Sequence, residues 1–345
     1  MTTLHRVSTL VMGLFVSAAT VLCGQTEPEL RQVVARVSGV DLTLSDLKSD
    51  ESGKLLQAEY QYYLNERKAL EELIDNRLLA DEARAKSISL DQLLETEVYK
   101  RVKDPTEDQL EVYYEGLDTK DSYQSAREDV LQHIRELRRT KARAAYVEQL
   151  RKQAKINILL MPPSAKVNTA RAYTIGTADA PVVLVEFADY QCPYCQKVNS
   201  QIQQLKKEYG SALTVIFKDF PLPMHHTAEK AAEASRCAGE QGKFWEYHDV
   251  LFYSKQLEVD ELKEHARVLR LDGDRFDTCL DSGSEANAVK SDLEEAKGLG
   301  LTGTPSFFVN GHFFSGVVDY AALKDIINQQ LNQAGSKLQL ISKNP

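Results

Sequence analysis

The 345-residue chain is poor in the features that mark several large functional classes. Positive charge is short: 42 Lys and Arg against 51 Asp and Glu leave a net charge of −9, which argues against a nucleic-acid partner. The N-terminal apolar run, Leu10 to Leu22, has thirteen mostly apolar residues, short for spanning a bilayer, with an uncleaved membrane anchor as the alternative to a secretory signal. Cysteine is scarce, with five in all, and only one pair has metal-ligand spacing, which leaves a four-cysteine zinc site without its second half. His225 and His226 are adjacent but have no second ligand pattern, so no metal is expected. With Trp245 they read as surface or core residues. No internal repeat, low-complexity tract or cofactor motif is apparent.

What is present begins with an export signal. His5 and Arg6 precede the apolar run, and polar Gln25-Thr26-Glu27-Pro28 follows it, the pattern of a secretory signal over residues 1–24. Cys23 adds lipoprotein processing as an alternative, although Leu22 stands where a lipobox wants a small residue. Either route places the mature protein in a periplasmic or other extracytoplasmic compartment, where disulfides persist. Four cysteines then remain. Cys192 and Cys195 make one pair, and the even count favours a structural disulfide between Cys237 and Cys279, the alternative being two buried thiols.

Cys192-Pro193-Tyr194-Cys195 follows an apolar strand, Val182 to Phe187, and opens a segment of helical composition, Gln196 to Glu208. At a helix start, free N–H groups and the helix dipole favour a thiolate on the first cysteine, while the second lies one turn away. That spacing suits reversible dithiol–disulfide chemistry, with Cys192 exposed and attacking and Cys195 more buried and resolving. Pro193 at the helix start loses no useful N–H. Tyr194 supplies no positive charge, so the helix terminus carries most of the thiolate stabilisation. Glu186, six residues before Cys192, is an acid inside an apolar strand, where burial is costly. It reads as a proton relay for Cys195, with Lys218 of a second strand, Leu213 to Lys218, as its partner. Downstream, within Gly303 to Gly311, Pro305 after Thr304 stands at the start of an apolar strand, a candidate for a cis X-Pro bond.

These motifs, over roughly Ala172 to Leu331, resemble the DsbA-like thiol-disulfide oxidoreductases of the thioredoxin superfamily. The resemblance implies an α/β thioredoxin-like fold with a helical insertion, over residues 172–335. It implies catalytic roles for Cys192, Cys195, Glu186 and Lys218, and substrate contacts from Pro193, Tyr194, Thr304 and Pro305.

Upstream, Val33 to Gly39 followed by Leu70 to Leu79 resembles the N-terminal domain of SurA-type periplasmic chaperones. A mainly α-helical domain is expected over 27–160, with strands Gln32–Val37 and Ile156–Leu160 paired and a linker over 161–171. Helices are expected at 54–86, 90–103, 107–117 and 122–154, the first burying a stripe of Leu70, Leu73, Ile74, Leu78 and Leu79. A further helix is expected to start within 41–47, capped by Thr43 or Ser45. The domain serves either as a peptide-binding surface or as a spacer. The resulting expectation is an exported enzyme that forms or rearranges disulfides in unfolded or reduced polypeptides, served by a membrane redox partner. A chaperone with a thioredoxin-like scaffold, or a reductase for one partner, would use the same residues.

Overall fold

The computed structural model describes residues 31–50, 52–316, 318 and 320–342. The signal expected at 1–24, with Cys23, lies outside the described residues. The chain divides into two units, one ending at Glu51 and the other starting at Ser52.

In the first unit, β1 (Val33–Val37) and β2 (Val40–Thr43) form an antiparallel hairpin. Its two-residue turn has positive φ at both Ser38 and Gly39, the geometry whose twist matches a hairpin. This local closure corrects two expectations. β1 pairs with β2 rather than with Ile156–Leu160, which carry no strand, and the strand runs on through Asp41 before α1 (Leu44–Asp50) begins. Thr43 caps that helix: its Oγ1 accepts from Asp46 N at 3.2 Å, and the Asp46 carboxylate accepts from Thr43 N at 2.8 Å.

The second unit opens with α2 (Ser52–Ala85), followed by α3 (Leu90–Leu93), which continues as a π turn (Leu94–Val98) and a 3₁₀ turn (Tyr99–Arg101). α4 (Glu107–Glu115) and α5 (Tyr123–Gln153) complete this helical part. Side-chain caps fix the starts: Ser89 and Thr106 form capping boxes with Gln92 and Gln109, and Ser122 accepts from Ser125 N. Leu79, Ala83, Leu93 and Val147 make one buried cluster, and Leu110, Val130 and Ile134 another. Arg151 clamps α5 to α2 through Glu71 and Asp75, each at 2.6 Å. Of the expected stripe, Leu79 is fully buried but Leu73 is 65% exposed. The buried face of α2 there is narrow, with Leu79 and Ala83 packing on Leu93 of α3 and Val147 of α5.

The remainder is a five-stranded mixed sheet in the order β3 (Tyr173–Ile175), β5 (Leu213–Asp219), β4 (Val182–Ala188), β6 (Ser306–Val309), β7 (His312–Ser315). β4 and β5 are parallel and the other pairs antiparallel. The parallel pair needs a crossover, supplied by α6 (Pro193–Tyr209). Between β5 and β6 lies the helical insertion: α7 (Ala228–Gly239), α8 (Phe244–Ser254), α9 (Val259–Val268), α10 (Gly273–Ser282) and α11 (Ala286–Gly298). The Cys237–Cys279 disulfide joins α7 to α10. α12 (Tyr320–Ser342) ends the described chain.

Three apolar clusters surround the sheet. One joins α6 and α12 to Leu184, Val215 and Phe307; a second fills the helical insertion. The third was not legible in the sequence: Leu56, Tyr60 and Tyr63 of α2 pack with Phe187, Phe308 and Phe313 of the sheet. The first half of α2 thus belongs to the sheet's own core. Gly53 and Gly300 permit the approach, since a Cβ on Gly53 would lie 1.9 Å from Gly298 O and one on Gly300 1.8 Å from Gly53 O. The segment expected as a linker is likewise docked. Phe313 N donates to Pro163 O and Ala165 N to Gly311 O, so residues 163–165 line the β7 edge.

Candidate active site

β4 ends at Ala188, and four residues later Cys192 occupies the N-cap of α6 with extended backbone (φ −74°, ψ 120°). Pro193 is N1, so the first free N–H groups of the helix belong to Tyr194 and Cys195. An N-cap side chain accepts from such groups, and here that side chain is a sulfur. The thiol of Cys192 is pulled down to about 5. The largest cause is the Cys195 thiol donating to the Cys192 sulfur. Burial works the other way, and the Thr304 side chain and the N–H groups of Cys195 and Tyr194 add to the lowering. Both cysteines are free thiols, and Cys195 is fully buried. Burial pushes its thiol well above the ordinary value, helped by the negative ends of Cys192 and Glu186. One sulfur is therefore ionised at neutral pH and its neighbour holds its proton.

The expectation that Cys192 is exposed needs correction, since only 3% of the residue is accessible. The Thr304-Pro305 segment comes against it: the peptide bond is cis, and Cys192 Sγ lies 3.5 Å from Thr304 O, to which it donates only as the protonated thiol. Tyr194 beside it is 60% exposed. Thr304 is itself buried.

Glu186 lies beneath this pair in β4, buried, with Oε1 lacking any hydrogen-bond partner. Burial alone lifts its carboxyl to about 8, so it carries its proton at neutral pH. The expected partnership with Lys218 is not formed. The register sets Glu186 opposite Phe217 and Lys218 opposite Phe187, and alternate residues of a strand face opposite sides of the sheet. Lys218 instead pairs with Asp292 and, at 2.9 Å, with Glu295. Asp292 also takes Arg236, which in turn pairs with Asp219, completing a buried ionic network on the insertion side of β5.

Sequence reasoning missed a second set of residues around the active-site turn. The Asp189 carboxylate accepts from Gln191 N at 2.7 Å, from Leu222 N at 2.7 Å and bonds His225 Nδ1 at 2.8 Å. Gln191 Oε1 accepts from Thr227 N and Oγ1. An Asp three residues before the first cysteine, with a turn to cap, was the available signal. His225 has no signal in the sequence, because its contact spans 36 positions. Among the described residues no cluster of His, Cys, Asp and Glu is arranged to hold a metal.

A mixed sheet with a crossover helix, a CxxC at that helix's N-terminus and a cis proline facing it define a thioredoxin-like domain in the C-terminal half. Residues 168–329 match the family described as Thioredoxin. The chain is 37% identical over 159 residues to the Na(+)/H(+) antiporter NhaA 3 of Salinispora tropica, covering 46% of this chain and 24% of that one. It thus spans about a quarter of the length of the curated relatives it matches. No helix among the described residues is long and apolar enough to cross a membrane. Among solved structures, oxidised BdbD from Bacillus subtilis is 24% identical with a TM-score of 0.47, covering 50% of this chain and 99% of that one. Alpha-DsbA1 from Wolbachia pipientis is 23% identical with a TM-score of 0.45, covering 52% and 98%.

Proposed function

We propose that this protein is an exported thiol-disulfide oxidoreductase that forms or rearranges disulfides in unfolded polypeptides. The observation that carries the reading is the acid–base asymmetry of Cys192 and Cys195, three residues apart, above the unpartnered acid Glu186. In the oxidising direction, a client thiolate attacks Cys192 Sγ of the Cys192–Cys195 disulfide. The S–S bond breaks, its electron pair leaves on Cys195, and protonated Glu186 supplies the proton that Cys195 takes up. A second client thiolate then attacks the client sulfur of the mixed disulfide, and the Cys192 thiolate leaves. The client loses two electrons and the protein gains them. Rearrangement begins instead from the reduced pair: the Cys192 thiolate attacks a client disulfide and one client thiolate leaves. That thiolate breaks a second client disulfide, and the thiolate so freed attacks the mixed disulfide and releases Cys192, with no net oxidation or reduction.

Thr304 and Pro305 supply main-chain groups beside Cys192 for an extended client, and exposed Tyr194 lines its path. Cys237–Cys279 is structural. The helical part takes the client-holding role of a SurA-type N-terminal domain, with exposed Leu73, Val112 and Leu137 as its apolar contacts. Holding a client there raises its effective concentration at Cys192. Reoxidation of the pair is assigned to a membrane redox partner, and anchoring through Cys23 remains part of this reading. The test is oxidative refolding of a reduced disulfide-requiring client in glutathione buffer with catalytic amounts of protein. Wild type accelerates refolding at least about tenfold and Cys192→Ser does not; equal rates for the two overturn the proposal.

A further inference from the structure

The mechanism above leaves unused a knot of polar groups around the turn that delivers Cys192 to its helix. Asp189 works from both ends. Its main-chain O accepts from Cys192 N at 3.1 Å, while its carboxylate, fully buried, fixes Gln191 N, Leu222 N and the His225 ring. The carboxylate oxygens already accept from two main-chain N–H groups, and the Nδ1–H tautomer of His225 adds a third donor. The loop that brings His225 there is itself closed. His225 N donates to Leu222 O, Ala228 N to His225 O, and Thr227 holds Gln191 Oε1. The active-site turn is thus braced against a second loop, and among the described residues the imidazole is the only side chain that bonds the carboxylate.

We propose that His225 and Asp189 are a positioning pair that holds the Cys192 sulfur at the N-terminus of α6. The inference rests on the reading of Cys192 and Cys195 as an exchanging pair. Without the imidazole, a buried carboxylate two positions from Gln191 keeps one donor fewer on Oδ2. A buried acceptor left short of partners turns toward whatever will satisfy it. The Asp189–Cys192 turn then shifts, and with it the sulfur relative to the N–H groups of Tyr194 and Cys195. Displacements of about 1 Å at a reacting atom cost up to about a hundredfold in rate. The two side chains hold the turn and not the Cys192 sulfur, so their effect on it is one of placement, while the Asp189 main chain also bonds the Cys195 sulfur.

Two near-isosteric substitutions separate placement from general stability. The amide N of Asn falls near the place of Nδ1 and keeps the bond to Asp189. That of Gln falls near the place of Nε2 and loses it. We would measure alkylation of Cys192 by iodoacetamide at pH 7, and the equilibrium constant with glutathione, for wild type, His225→Asn and His225→Gln. Thermal unfolding of each checks that it is folded. The expected result is an alkylation rate and an equilibrium constant lowered about tenfold in His225→Gln and within about twofold of wild type in His225→Asn. If His225→Gln does not fold, His225→Ala takes its place with the same expected drop. Equal values for the Asn and Gln variants, or a Gln variant equal to wild type, overturn the positioning role. A wild type that does not exchange with glutathione overturns the redox reading instead, whatever the variants do.

Discussion

Replacing Glu186 by Gln removes a titrating group whose folded environment differs sharply from water, and its consequence for stability follows from two values. In the unfolded chain a Glu ionises near its ordinary value of about 4.3, whereas burial lifts the folded carboxyl to about 8. Between these values the folded state keeps a proton that the unfolded state has released. Stability from this group is therefore fully present below the unfolded value and is lost as pH rises toward 8, beyond which it levels off. The slope in the window is about 1.4 kcal/mol per pH unit, so wild type loses about 2.7 kcal/mol from this source between pH 5 and pH 7. Glu186→Gln loses none. Urea unfolding of the reduced protein at pH 5, 6, 7 and 8 gives the difference between the two proteins, in which other titrating groups cancel. The difference should change with pH at close to that slope; a constant difference across the range would refute the burial argument. The same substitution should slow resolution of a Cys192 mixed disulfide by about tenfold or more at pH 8, where about half of Glu186 is ionised and can take the Cys195 proton.

Thiolate absorbance of the reduced protein against pH should rise with a midpoint near 5 and vanish in Cys192→Ser, because the thiolate is the form present above that value; no thiolate below pH 8 would contradict the N-cap account. Lys218→Met leaves Asp292 and Glu295 without their shared cation and should cost about 3 kcal/mol in urea unfolding. Its rate of mixed-disulfide resolution should stay at the wild-type value, and a slowed rate would reinstate Lys218 as the partner of Glu186. Replacing Cys237 and Cys279 together by Ala opens a 42-residue separation and should lower stability by about 4 kcal/mol in the chain-entropy picture. An unchanged unfolding midpoint would mean that the link adds nothing beyond packing.

How much of this was legible in the sequence depended on how local the physics was. Cys192 to Cys195 could be read because an N-cap, a proline at N1 and a one-turn spacing are properties of neighbouring residues. Glu186 stood out for a similar reason, as an acid in an apolar strand. The Glu186–Lys218 pairing failed because a parallel register is set by the whole sheet, and a shift of one residue turns a side chain to the other face. The helix starts expected at 90, 107 and 122 could be read from local composition, and the structure supplies their caps in Ser89, Thr106 and Ser122. The docking of Tyr60 and Tyr63 on Phe313 did not, because α2 continues unbroken from the sheet's core into the helical part. Ile156 to Leu160 has a strand's apolar content but pairs with no strand, and Gln329 Nε2 donates to Ile158 O instead. Asp189 and His225 were missed because two loops, not a motif, bring them together.

The central claim is that Cys192 and Cys195 form a reversible couple whose reduced form is stabilised first by the Cys195 thiol donating to the Cys192 thiolate and then by Thr304 and the N–H groups of the helix start. The most direct test is its reduction potential, measured by equilibrating the protein against glutathione buffers and trapping free thiols. A stabilised Cys192 thiolate predicts a value between about −120 and −180 mV, among donors and shufflers of disulfides. A value near about −270 mV, or no exchange between Cys192 and glutathione, would contradict it.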